Sequence, residues 1–237
     1  MQRMRTPVSV TLTVLGLMVL ANPTRVIAQD EGDYAAYFAL NFTPLGAFVP
    51  LPPPASAARG SAFVFRYGNL DLGSGSDGSL HNFAIGGDFS TGRGRLGLTL
   101  GGTTCDGCDG NIMAGLDYTA TLTQNVVSVA LRPALGFSKP LEGDGTALTF
   151  GVALPVGAEL SGATGPVFTP FLVPGIGYGR LSGNDDSESG MRPMLGGGLA
   201  ISGRKSTFAV HVGFQKVFID EGEMAFGLGF SIGRSSP

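Results

Sequence analysis

Tryptophan is absent, cysteine and histidine occur twice each, and only 14% of the 237 residues are charged. Soluble domains carry about a quarter charged residues, so this chain lacks the side chains that cover an ordinary water-exposed surface. Two cysteines cannot supply the roughly four ligands of a structural zinc site. The formal net charge of -3 gives no basic field for nucleic acid, which is not expected as a partner. Beyond Ala21 no window approaches the roughly 20 continuous apolar residues that a membrane-spanning helix needs. What the chain has in excess is glycine, 39 residues, against a usual share of about 7%, and glycine weakens helix interiors. Glycine shows no Gly-X-Y period, which excludes a collagen-like chain, and 43% apolar residues exclude disorder.

The first segment reads as an export leader. Arg3 and Arg5 precede an apolar run from Val8 to Ala21, and Val26 and Ala28 match the small-residue rule of a signal-peptidase site. Cleavage is expected after Ala28, which removes three of the 15 basic residues and leaves all 18 acidic ones. Residues 29–60 have a character of their own: Pro50 and Pro52 to Pro54 force an extended segment, read as a periplasmic linker or a plug, with the linker favoured.

From Ser61 to about Gly233 the chain alternates with a period of two, the strand signal rather than the helical one. One face is bulky and apolar: Phe63, Phe65 and Tyr67; Leu96, Leu98 and Leu100; Val127, Val129, Leu131, Leu135 and Phe137; Phe226, Leu228, Phe230 and Ile232. The other face is small, with isolated charges. A soluble sandwich would turn its second face to water and fill it with long polar side chains. Glycine, alanine, serine and threonine suit the inside of a narrow closed barrel, and phenylalanine, leucine and valine suit a band against lipid tails. Closure also pairs every backbone group, as the bilayer requires. The fold expected is therefore all-β: a closed antiparallel transmembrane β-barrel of ten strands, with eight as the alternative. Pro133, Pro155, Pro170, Pro174 and Pro193 fall inside strands and weaken the count, because each removes a ladder hydrogen bond. Between Val167 and Leu181, a bulge is needed if Arg180 is to face inward.

Connections alternate between long (Asn69–Ser79, Thr104–Gly110, Ser138–Gly145, Ser182–Gly190) and short (Thr91–Gly94, Thr123–Asn125, Gly203–Ser206). Outer-membrane barrels have long external loops and short periplasmic turns. On that pattern both ends of the barrel segment lie on the periplasmic side, and residues 234–237 form a short tail.

The last strand, Gly227-Leu228-Gly229-Phe230-Ser231-Ile232, resembles the C-terminal insertion signal of bacterial outer-membrane β-barrel proteins: a glycine followed at fixed spacing by hydrophobic residues on one face. It departs from the pattern at Ala225, where a polar residue is usual, and in the five residues that follow Ile232. The resemblance implies recognition by the barrel-assembly machinery and residence in a Gram-negative-type outer membrane, with outer-membrane lipid as the surrounding partner.

Six residues place charge or an imidazole on the small face: Arg66, Asp88, Asp117, Arg132, Glu159 and His211. Buried charges need partners. Asp117 and Arg132 flank the tight turn at Thr123 to Asn125, so the hairpin sets them diagonally on one face, and a lumen ion pair is expected. Cys105 and Cys108 lack the βαβ context of a redox motif and are expected to form a small disulfide in an external loop of an exported protein. No metal or cofactor site is expected. His211 is expected inward and hydrogen-bonded, and His81 near the external rim on the lipid-facing parity; neither has a clear partner in the sequence. The function expected is a non-enzymatic structural barrel or a narrow pore for small solutes. The alternatives are an outer-membrane surface hydrolase using His211 or His81, marked by a serine or carboxylate within about 3 Å of the imidazole, and a soluble exported β-sandwich adhesin.

Overall fold

A computed structural model describes residues 62–71, 79–91, 94–105, 108–124, 127–141, 145–161, 165–183, 187–203, 208–218 and 224–233. The leader, the proline-rich segment and the C-terminal tail read from the sequence lie outside these residues. The strands are β1 (Ala62–Asp71), β2 (Ser79–Ser90), β3 (Gly94–Cys105), β4 (Cys108–Gln124), β5 (Val127–Pro140), β6 (Thr146–Ala153), β7 (Val156–Ala158), β8 (Leu160–Ser161), β9 (Pro166–Ser182), β10 (Ser187–Gly203), β11 (Phe208–Val217) and β12 (Met224–Gly233).

Every pairing is antiparallel, and the last strand returns to the first: Ala62 faces Gly233 and Leu70 faces Ala225. The result is a closed ring of ten staves, with one short strand, β8, paired to β9 alone. β6 and β7 are a single stave. Both lie between β5 and β9 in one register, Arg132 opposite Ala153 and Val129 opposite Val156 on one side, Ala153 opposite Gly175 and Val156 opposite Leu172 on the other. Pro155 interrupts the stave because it lacks an N–H, but the ladder survives through carbonyls. Ala130 N–H donates to Pro155 O at 2.9 Å, and Leu154 N–H donates to Pro174 O at 2.8 Å.

The two faces separate as the alternation requires. Phe63, Phe83, Leu100, Leu116, Leu135, Phe150, Val212 and Phe226 are exposed on the outer surface, while Val64, Ala84, Thr99, Ala134, Thr149, Ala209 and Ser231 are buried inside. A soluble protein would bury the first set. Here they form an apolar belt around the ring, the inside-out arrangement that a bilayer stabilises.

Two sequence expectations are corrected. The described residues of Thr104–Gly110 and most of those of Ser182–Gly190 are strand and not loop: β3 runs to Cys105 and β4 starts at Cys108, while β9 runs to Ser182 and β10 starts at Ser187. Gly110 and Gly190, read as loop residues, lie in strands, where pairing overrides their local preference. Arg180 does not face inward, and β9 needs no bulge. All seventeen residues of β9 pair with β10 in one register, from Pro166–Gly203 to Ser182–Ser187. Arg180 shares the outer face with Phe168, Leu172 and Ile176, is exposed, and donates to Ser187 Oγ at 3.3 Å. The register shifts lie in β3–β4 between Thr103 and Cys105 and in β4–β5 between Thr121 and Thr123.

Stave length is uneven. β1, β11 and β12 have 10 residues, whereas β4, β9 and β10 have 17. At about 3.4 Å per residue and a tilt of about 40°, ten residues span roughly the 25 Å apolar band. The longer staves rise well past it at the end bearing the β1–β2, β3–β4 and β9–β10 connections, called here the long-loop end.

Candidate functional site

The lumen holds the first constellation. Ala62, Asp88, Gly97, Asp117, Ala134, Gly151, Gly177 and Arg192 are successive cross-strand partners around the wall. All are buried. Three charged side chains thus stand in a circuit whose other members are glycine or alanine, and the missing side chains make room for them. At Gly97 the reason is direct, because a Cβ there would lie 2.5 Å from Asp117 Oδ2.

Asp117 faces Ala134 across the β4–β5 ladder, and Arg132, two residues along on the same face, reaches back diagonally. Its Nε donates to Asp117 Oδ1 at 3.2 Å, with the side chains 10% and 8% exposed. Asp88 receives Arg95 from the neighbouring strand, NH1 to Oδ2 at 3.7 Å. Arg66 donates from NH1 to Thr99 Oγ1 at 3.3 Å. Burying one member of such a pair alone leaves an uncompensated charge, so each carboxylate stabilises the arginine it meets. Glu159 lies half-buried between β7 and β8.

His211 corrects an expectation. It is inward and 1% exposed, but neither ring nitrogen has a hydrogen-bond partner among the described residues. Its imidazole lies over Gly229, its direct partner on β12, in space that a Cβ at 229 would occupy. Arg66 Nε and Thr169 Oγ1 are also buried without partners, and both fall on the cross-strand line that runs through Gly229, His211 and Ala200. Buried groups of this kind are ordinarily met by ordered water.

The second constellation is on the outer face at the long-loop end, and the sequence reading missed it. Ser79 and His81 are two residues apart on β2 and so share a face. His81 pairs directly with Asn69 of β1. Ser79 Oγ lies 3.1 Å from His81 Nε2, while Nδ1 lies 2.9 Å from the Tyr67 hydroxyl and 3.2 Å from Asn69 Nδ2. The Tyr67 ring lies nearly parallel to the imidazole, with centroids 6.1 Å apart and planes 16° from parallel. Reading Asn69 to Ser79 as a loop hid the pairing. Extending the β1 and β2 alternation by two residues past each strand end would have revealed it.

The backbones of Cys105 and Cys108 are direct partners across the β3–β4 tip. Their side chains lie outside the described set, and the disulfide stays an expectation.

No family model matches this chain, and no curated relative matches it. Among solved structures, the β domain of the Bordetella autotransporter BrkA is similar over 74% of this chain and 99% of that one, at 14% identity and a TM-score of 0.49. A bacterial polysaccharide outer membrane secretin is similar over 66% of this chain, at 12% identity and a TM-score of 0.45, and only 57% of its length is spanned. The N-terminal β-barrel domain of Pseudomonas aeruginosa OprF is similar over 73% of this chain and 97% of that domain, at 11% identity and a TM-score of 0.30.

Proposed function

We propose that this outer-membrane β-barrel is a closed structural barrel, its lumen sealed by its own inward side chains, rather than an open pore for solutes. A water-filled channel leaves the side chains that line it in contact with water. Here the inward residues are cut off from solvent around the whole ring: Arg66 is 4% exposed, Thr99 4%, Ser128 0%, Thr149 0%, Thr169 0% and His211 1%. That burial is the observation that supports the reading. The paired charges support it too. Asp88 with Arg95 and Asp117 with Arg132 are ion pairs between neighbouring staves of the lumen wall, where each ties two strands together instead of leaving those charges free to attract a passing solute.

The long-loop end faces outward from the cell in this reading, and the short turns face the periplasm. The surrounding lipid is the barrel's partner, and the barrel-assembly machinery delivers it. The test is conductance. The full chain reconstituted in a planar lipid bilayer is expected to show no steady ionic current. A stable open level at every insertion would replace the closed barrel with the narrow pore.

A further inference from the structure

We propose that Ser79, His81, Asn69 and Tyr67 form a hydrolytic site on the lipid-facing surface of the barrel, acting on the carboxylic ester of a membrane lipid. The proposal rests on the sidedness of the barrel and not on whether its lumen is closed.

The geometry is that of an activated nucleophile. A hydroxyl becomes a competent nucleophile when an imidazole accepts its hydrogen bond and a third group fixes the ring from its far side. Ser79 Oγ–H donates to His81 Nε2 across 3.1 Å. With that nitrogen as acceptor, the proton of the neutral ring sits on Nδ1. There it is donated to the Tyr67 hydroxyl oxygen at 2.9 Å, while the Asn69 atom 3.2 Å away is the amide nitrogen Nδ2, which has to exchange places with Oδ1 to accept it. A side-chain amide has an acceptor oxygen as well as a nitrogen, and turning it about its own axis presents either to the ring. The register of Asn69 opposite His81 and the Tyr67 hydroxyl contact hold the imidazole in place, and both come from paired strands.

The position selects the substrate. Tyr67, Asn69 and His81 are half-buried on the outer surface, just above the belt that includes Phe83 on the same strand. Phe83 is 44% exposed, and Phe226, opposite Asn69 on β12, is 59% exposed. Phe83, the next outward residue along β2, therefore lies on the bilayer side of the polar cluster, and Phe226 lies beside Asn69, both open to acyl chains. A molecule reaching this site must lie in the membrane with its tails against the belt, which sets its ester carbonyl, at the polar boundary, against Ser79. A water-soluble ester has no such guide. Phospholipid and acylated lipopolysaccharide share this chemistry, and experiment distinguishes them.

The step balances with water as co-reactant. Ser79 Oγ attacks the ester carbonyl carbon while its proton passes to His81 Nε2. The tetrahedral adduct then breaks the bond to the lipid alcohol, which leaves with the proton from His81. Water attacks the acyl-serine, gives one proton to His81, and releases the fatty acid as Ser79 regains its proton. Ser79 and His81 touch the reacting atoms; Asn69 and Tyr67 are positioning residues.

The test incubates the folded full chain with two substrates in parallel, phosphatidylethanolamine vesicles and purified acylated lipopolysaccharide, and measures released fatty acid. Release is expected from one of them and names the source. Ser79→Ala is expected to reduce it on the order of 10³-fold or more, with the folded barrel verified by its mobility on an unheated gel. Wild-type protein treated with a fluorophosphonate is expected to carry one covalent adduct on the peptide containing Ser79, a readout independent of any variant's folding. In a Tyr67→Phe/Asn69→Ala double variant the pH-rate profile is expected to shift, and an unmoved profile would overturn the positioning roles. No fatty acid from either lipid together with no adduct overturns the site, as does equal release by Ser79→Ala.

Discussion

Asp117 and Arg132 meet diagonally across the β4–β5 hairpin, Oδ1 to Nε at 3.2 Å, with Asp117 standing between Gly97 and Ala134 on the lumen wall. Their separation along the chain is 15 residues, and the turn between them brings them together. The pair ties two adjacent staves, and the direct neighbours of Asp117 on β3 and β5, Gly97 and Ala134, leave room for it.

Removing either partner leaves the other charged and buried. Asp117→Ala or Arg132→Ala is expected to destabilise the barrel by about 3–5 kcal/mol. The double variant should lose clearly less than the sum of the two. Urea titration of the protein folded in lipid vesicles, with unheated gel mobility as the readout, measures both quantities.

The lipid-facing belt has its own penalty. Leu100 is 62% exposed and near the middle of β3, and Leu100→Arg is expected to cost about 2–4 kcal/mol in vesicles, the penalty for a cation at bilayer depth. In a water-soluble fold an exposed leucine could be replaced by arginine almost without effect. The same titration separates the two outcomes.

Gly229 is required by its neighbour. Gly229→Ala drives a methyl into the His211 imidazole, and overpacking of this kind costs about 1–3 kcal/mol. His211→Ala in the same chain should restore most of the loss, because the second change removes the atoms that the first one meets. A double-mutant cycle on vesicle-folded protein checks the coupling.

Cys105 and Cys108 face each other at the tip of β3–β4. Alkylation of the purified, unfolded protein without reductant is expected to leave its intact mass unchanged. Alkylation after reduction should add two adducts. Mass spectrometry distinguishes the cases, and two adducts without reductant would remove the disulfide.

The sidedness of the barrel was legible because period two is a local property. Phe63 and Phe65, or Leu98 and Leu100, declare the outer face without reference to any partner strand, and Asp117 and Arg132 could be paired because a short turn joins them. Whatever depended on strand ends was lost. Asn69 and Ser79 looked like loop residues, so the face they share with His81 went unread, and the acidic, glycine-rich stretch around Ser182 to Gly190 concealed two strands that keep pairing beyond the belt. Arg180 misled for a related reason. Its charge argued for the inside, although at the far end of a 17-residue strand the outer face has already left the hydrocarbon. His211 was placed on the correct side, but its lack of a partner among the described residues depends on its surroundings from several strands at once, which no single alternation encodes.

The join between β1 and β12 brings together the two strands most remote in sequence, Ala62 beside Gly233. Nine neighbouring hairpin contacts can form locally, but the seam cannot form until the final strand exists, and its loop entropy makes it the slow event in ring formation. Until the seam closes the molecule has two raw edges, β1 and β12, each able to recruit a foreign strand. The same seam makes the fold indifferent to where the polypeptide is cut. A circular permutant that links residue 233 to residue 62 by a short turn and opens the β1–β2 connection would keep every stave in its place.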